Sequence, residues 1–150
     1  MAGTYTNLLY HLVFSTKDRI PMIGQRLQED LHAYMGGIIR GEGGHLLEIG
    51  GMPDHVHLLT KFKPTKSVSE MLNRIKAKSS KWVNARDRRM RKFGWQDGYA
   101  AFSVSESAVP SVRRYIQNQE HHHRRQSFQD EFRALLNKHD IEYDEHYLWV

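Results

Sequence analysis

Two histidines separated by a single residue, His55 and His57, carry the sharpest chemical signal in the chain. They fall in a largely apolar run, DHVHLLTKF from Asp54 to Phe62, which reads as a β-strand. Side chains alternate along a strand, so both imidazoles share one face while Val56 and Leu58 turn to the other, into a core. Two such histidines on a rigid platform can reach one divalent cation, but they are too few to hold it. Gln119 is the candidate third ligand. It lies four residues beyond Tyr115, so on a helix the two side chains project together. An oxygen donor beside two imidazoles, with no thiol at hand, suits Mg2+ or Mn2+ with positions left open for water and a phosphate oxygen. Tyr115 is then a candidate catalytic residue. The plainer alternatives are a pair of surface or core histidines, and a core-edge tyrosine sharing a stripe with Val112 and Ile116.

The elements that must position these residues follow from periodicity. Leu8 to Ser15 reads as a strand buried on both faces, and Ile23, Leu27, Leu31, Tyr34, Met35, Ile38 and Ile39 recur at helical spacing. His45 to Ile49 reads as a second strand, joined to the third by a tight link through Gly50, Gly51 and Pro53. Ser67, with Glu70 three residues on, has the capping-box pattern that starts a helix. Val68, Met71, Leu72, Ile75, Ser79, Trp82 and Val83 trace its apolar face, and it fades near Arg89. Ala100 to Ser105 reads as a fourth strand. A helix beginning around Ser107 to Pro110 carries Tyr115, and another runs from Phe128 to Asn137. The order β-α-β-β-α-β followed by helices predicts an α+β, ferredoxin-like split βαβ fold: an antiparallel sheet with helices on it plus C-terminal helices. The whole chain, residues 1–150, is read as one domain.

Charge is unevenly distributed. The net charge is +5, but the segment from Arg74 to Lys92 alone carries +8, and Ser127 to Val150 carries −4. The basic segment predicts a polyanion partner or a solvated helix face. Its candidate phosphate contacts are Lys76, Lys78, Lys81, Arg86, Arg88, Arg89, Arg91 and Lys92. Phe93 and Trp95 are candidates for stacking on bases or for a packed loop, and Trp82 for the core. His121, His122 and His123 are consecutive, so on a helix they diverge by about 100° each and cannot converge on one metal. With Arg124 and Arg125 they read as a solvated or phosphate-facing stretch, of which His122 could add a ligand. His11 is placed in the sheet without a role. The absence of cysteine excludes disulfides, thiolate metal sites and a cysteine nucleophile. Neither a secretory signal pattern nor a membrane-spanning apolar run is present, which predicts a cytoplasmic protein without a membrane partner.

Taken together, the motifs resemble a known family. GGMPDHVHLL, from Gly50 to Leu59, resembles the His-hydrophobic-His motif of HUH nucleases. RRYIQNQ, from Arg113 to Gln119, resembles the helix that bears their single nucleophilic tyrosine and, four residues on, a metal-binding glutamine. This order is that of the small single-tyrosine insertion-sequence transposases and their relatives associated with repetitive extragenic palindromes. YHLVFSTKDR (Tyr10 to Arg19), WQDGYAAFSVS (Trp95 to Ser105) and HDIEYDEHYLW (His139 to Trp149) extend the likeness over nearly the whole chain.

The resemblance implies a metal-dependent transposase acting on single-stranded DNA with hairpins at the element ends. His55, His57 and Gln119 would hold Mg2+ or Mn2+, and Tyr115 would form a 5′-phosphotyrosine link with release of a 3′-OH. It also implies a homodimer in which tyrosine helices are exchanged, with Gln96 to Gly98 and the residues before Pro110 as candidate linkers. The acidic, aromatic stretch from Asp140 to Trp149 fits a packing surface. Two alternatives stay open: a ferredoxin-like nucleic-acid-binding module without catalysis, and a domesticated endonuclease that no longer moves an element. A structural metal site fits poorly, since two histidines and a glutamine leave it open.

Overall fold

A computed structural model describes residues 2–86 and 92–150. Nine main elements follow in order: β1 (Leu9–Ser15), α1 (Gln25–Gly41), β2 (His45–Met52), β3 (His55–Lys61), α2 (Val68–Arg86), β4 (Ala100–Val104), α3 (Val109–Gln117), α4 (Gln119–His123) and α5 (Phe128–Lys138). The strands form one antiparallel-paired sheet in the order β2-β3-β1-β4. This is the α+β ferredoxin-like arrangement that the order of elements predicts, with C-terminal helices added.

Both faces of the sheet are covered, so β1 and β3 are buried almost throughout, their polar side chains included. On one face Leu12 and Phe14 of β1 and Val56 and Leu58 of β3 meet Leu31, Met35 and Ile39 of α1 and Met71, Leu72 and Ile75 of α2. Burying that surface contributes stability at about 25 cal/mol per Å². On the other face Val13, Ala100 and Phe102 pack against Phe128, Phe132, Leu135 and Leu136 of α5. Alternation therefore puts His55 and His57 on the face covered by the C-terminal helices, away from α1 and α2.

Local chemistry explains the ends of the elements. The Glu70 amide donates to Ser67 Oγ at 3.1 Å, one half of the expected capping box, while the Glu70 carboxylate turns to Arg74 instead. Ser127 caps α5 through the Asp130 amide at 3.1 Å. The two-residue turn between β2 and β3 is Pro53–Asp54, and the glycines expected to form it lie within β2. A Cβ on Gly50 would stand 2.4 Å from the Ile116 carbonyl oxygen. The glycine serves close approach: it lets the backbone of α3 rest directly on β2.

Several surface expectations resolve as packing. Phe93 and Trp95 are buried, and Trp95 Nε1 donates to Ser79 Oγ at 2.9 Å, so neither ring is presented for base stacking. Trp82 packs beside the core and stacks on Tyr34 with centroids 4.7 Å apart. Trp149 lies against Phe128 and Phe132 of its own chain, while Tyr147 of the same stretch is 71% exposed. No helix among the described residues is long and apolar enough to cross a membrane.

Candidate active site beneath the C-terminal helices

The structure brings His55, His57, Tyr115 and Gln119 together, and adds a residue that the sequence did not single out. His55 and His57 are fully buried on β3. Tyr115 reaches them from α3. Gln119 arrives from α4, because the chain bends at Asn118 and starts a new short helix. Glu131, the addition, projects from the underside of α5 and is 1% exposed.

Glu131 is the hub. Its Oε1 accepts from His57 Nε2 at 3.0 Å and from His123 Nε2 at 3.1 Å. Its Oε2 accepts from Gln119 Nε2 at 3.0 Å and from the Tyr115 hydroxyl. Four donors thus satisfy one buried carboxylate, which is what lets it stay ionised away from water. Burial by itself would raise the Glu131 carboxyl, but the hydrogen bonds from His123 and His57 outweigh it and hold it well below the usual carboxylate range. Burial also lowers His57. It opposes charge on His123 too, yet the Glu131 hydrogen bond prevails there and raises that imidazole. Tyr115 is pushed far up, first by burial and then by the negative charge of Glu131, so its phenol is held protonated.

The donor set also tests for a cation. Burial opposes ionisation of Asp54, but its hydrogen bond with His55 holds it below the usual range. Asp54 Oδ1 lies 2.7 Å from His55 Nδ1, so that nitrogen carries the proton. The lone pair of a neutral His55 Nε2 then faces Gln119 Oε1 at 3.1 Å and Glu131 Oε1 at 3.5 Å. His55 Nε2 thus faces two oxygens that His123 Nε2 also approaches, at 3.1 Å each, and an added proton or a cation would join the three acceptors. The ligating atoms of His55, His57 and Glu131 lie within 4.8 Å of one another. Two imidazole nitrogens, a carboxylate oxygen and a neighbouring amide oxygen fit a divalent cation.

Of the three consecutive histidines it is His123, not His122, that enters the cluster. The His122 ring lies against Tyr115, with centroids 4.8 Å apart, and His121 is exposed. Two signals could have found Glu131 and His123. Glu131 interrupts the apolar stripe formed by Phe128, Phe132 and Leu135, and a carboxylate there needs buried partners. His123 lies four residues beyond Gln119.

The basic residues have mixed surroundings. Lys76 Nζ donates to the carbonyls of Gln96, Asp97 and Gly98 at 2.9, 3.1 and 2.6 Å, and burial lowers it to about 8. Lys78 lies 3.7 Å from Glu42, and Arg86 lies 2.6 Å from Asp30. Lys81 and Lys92, with Lys17, line a groove of about 630 Å³ beside α2. Arg88, Arg89 and Arg91 lie outside the described residues. On the side of the histidine cluster, Arg113, Arg114, Arg124 and Arg125 are exposed.

Comparison with known proteins places this architecture. A family model described as "Transposase IS200 like" matches residues 4–119, so the chain belongs to the IS200-like transposases. It is 25% identical over 122 residues to the ISDra2 transposase TnpA of Deinococcus radiodurans, covering 78% of this chain and 87% of that one. It is 26% identical over 125 residues to the transposase for insertion sequence element IS200 of Salmonella typhimurium, covering 79% and 81%. A crystal structure of a candidate transposase from Deinococcus radiodurans R1 superposes with a TM-score of 0.63 at 25% identity, over 79% of this chain and 95% of that one. The REP-associated tyrosine transposase bound to a REP hairpin superposes with a TM-score of 0.58 at 12% identity, over 79% and 70%, a likeness of fold.

Proposed function

We propose that this transposase cleaves and rejoins single-stranded DNA through a covalent phosphotyrosine formed by Tyr115. The observation that carries the reading is the convergence of one tyrosine, two same-strand histidines, a glutamine and a buried carboxylate in a single cluster. His55, His57 and Glu131 would hold a divalent cation, Mg2+ or Mn2+, with Gln119 Oε1 beside them. When bound, the cation supplies a Lewis acid that polarises the scissile phosphate and offsets its negative charge.

The chain's own residues do the rest. Tyr115 Oη attacks phosphorus and releases its proton to water, because the Glu131 carboxylate that accepts its hydrogen bond is held too weak a base to keep it. The bond from phosphorus to the 3′-oxygen breaks, and that oxygen takes a proton from water to leave as a 3′-OH. The 5′-phosphate stays on the tyrosine, so the phosphodiester is conserved and a second 3′-OH can reverse the step without ATP. Gln119 fixes the far side of Glu131. The exposed Arg113, Arg114, Arg124 and Arg125, on or just after the helices that carry Tyr115 and Gln119, are candidate contacts for flanking phosphates, and Lys81 and Lys92 are candidates beside α2.

The solved neighbour bound to a REP hairpin supports hairpin-bearing DNA ends as the substrate. A homodimer in this reading serves to hold two DNA ends together. Incubation with a single-stranded hairpin oligonucleotide and Mn2+ should yield a protein–DNA adduct that survives denaturing electrophoresis. DNA binding without any adduct would favour a binding module instead.

A further inference from the structure

His11 lies in the middle of β1, on the sheet face that bears His55 and His57, and is 4% exposed. Its register partners are Leu59 on β3 and Phe102 on β4, while Val13, two residues along, pairs with His57. The neighbouring buried side chains on that face, Leu9, Val13, Ala100 and Phe102, are apolar. An imidazole placed among them costs free energy unless its nitrogens are satisfied. His11 Nε2 lies 2.9 Å from His57 Nδ1, and the two rings stand 5.1 Å apart, inclined by 30°. Phe102 and Tyr115 set their rings against His11 at 5.9 and 6.0 Å.

His57 faces Glu131 with Nε2, so its orientation depends on what holds Nδ1. For His55 that partner is Asp54. We propose that His11 is the positioning residue for His57, the counterpart of Asp54, holding Nδ1 so that Nε2 is presented to a cation; this rests on reading His55 and His57 as cation ligands. The choice of an imidazole follows from what the position requires. While His57 Nε2 donates to Glu131, Nδ1 is an acceptor and His11 donates to it. When Nε2 offers its lone pair to a cation, Nδ1 carries the proton and His11 accepts. A carboxylate could serve only the second state and an ammonium only the first. A neutral imidazole serves both, and adds no charge beneath Glu131.

The test uses the full chain, with Mn2+ as the probe. Mn2+ affinity is read from the electron paramagnetic resonance signal of the free ion, and the His57 ring nitrogens from 15N NMR of the metal-free protein. His11→Leu removes the partner. His11→Gln restores a group that reaches the Nε2 position and can present either C=O or N–H. Circular dichroism confirms that both variants fold. His11→Leu should lose affinity by about 10–100-fold and shift the His57 Nδ1 resonance, and His11→Gln should recover most of both. Wild-type-like affinity in His11→Leu, in a protein that does bind Mn2+, would overturn the role of His11 alone. Failure of the wild type to bind Mn2+ would overturn the cation reading and this role with it. Should His11→Leu not fold, a wild-type His57 Nδ1 without a hydrogen bond in the NMR spectrum would still contradict the proposal.

Discussion

The Glu131 carboxylate lies 3.0 Å from His57 Nε2, so the last long helix of the chain closes the site that the third strand opens. The family match ends at residue 119, and α5 begins at Phe128. Glu131 therefore reaches the histidines from beyond the residues that the family model matches. Glu131→Gln keeps the shape but turns one acceptor oxygen into a donor that faces other donors. We expect Mn2+ affinity to fall at least about tenfold, and adduct formation to fall with it. Unchanged Mn2+ binding would remove Glu131 from the ligand set.

Gly50 makes the mechanical link between the sheet and the tyrosine helix. A Cβ there meets the Ile116 carbonyl 2.4 Å away, against backbone that cannot rotate aside. Gly50→Ala should lift α3 and with it Tyr115, the residue before Ile116. The expected cost is about 1–3 kcal/mol of stability together with a large loss of cleavage. Denaturation and cleavage assays that both match wild type would show that α3 does not depend on this close approach.

The lysines near the groove should separate into two kinds. Lys76 caps three carbonyls of the 96–98 loop, so Lys76→Met should lower stability and leave the salt dependence of DNA binding alone. Lys81→Gln and Lys92→Gln should each flatten the slope of log K against log salt, by about 0.7 for every phosphate that is no longer neutralised on single-stranded DNA. Salt-dependent anisotropy titrations distinguish these outcomes; a slope altered by Lys76→Met alone would reverse the assignment.

Stability should decline as pH falls below neutrality. Burial, and after it the neighbouring His57 imidazole, pushes His11 down to about 3, whereas in the unfolded chain it titrates near 6.5. Between those values the unfolded chain binds the extra proton. The stability His11 contributes is therefore full above about pH 6.5 and is lost as pH drops toward 3. Urea unfolding at pH 7 and pH 5 should show a loss for the wild type that is smaller in His11→Gln, by up to about 1.4 kcal/mol per pH unit. Equal losses in the two proteins would mean that His11 is not held neutral by the fold.

The legible parts of the molecule are those set by local pattern. The 3.6-residue stripe of α2 and the alternation in β3 are visible in the chain, and the sheet order follows from the sequence of elements. The pair His55 and His57 is visible for the same reason, and so is the spacing of Tyr115 and Gln119. Glu131 is hidden because its partners lie 12, 16 and 74 residues away and nothing local announces them. His11 is hidden because its use depends on a diagonal reach between two strands. Gly50 reads as a turn former because glycine signals backbone freedom and close approach in the same way, and only the position of α3 tells them apart.

The central claim is that Tyr115 Oη becomes bonded to DNA. Tyr115→Phe removes one oxygen and its hydrogen bond to Glu131 while leaving His55, His57 and Gln119 in place. The most direct measurement is peptide mass spectrometry of the adduct trapped with a single-stranded hairpin oligonucleotide and Mn2+, run beside Tyr115→Phe. The account predicts a nucleotide on the peptide containing Tyr115 in the wild type. It predicts no adduct in Tyr115→Phe, whose DNA and Mn2+ binding persist. A nucleotide on any other residue, or an undiminished adduct in Tyr115→Phe, would contradict it.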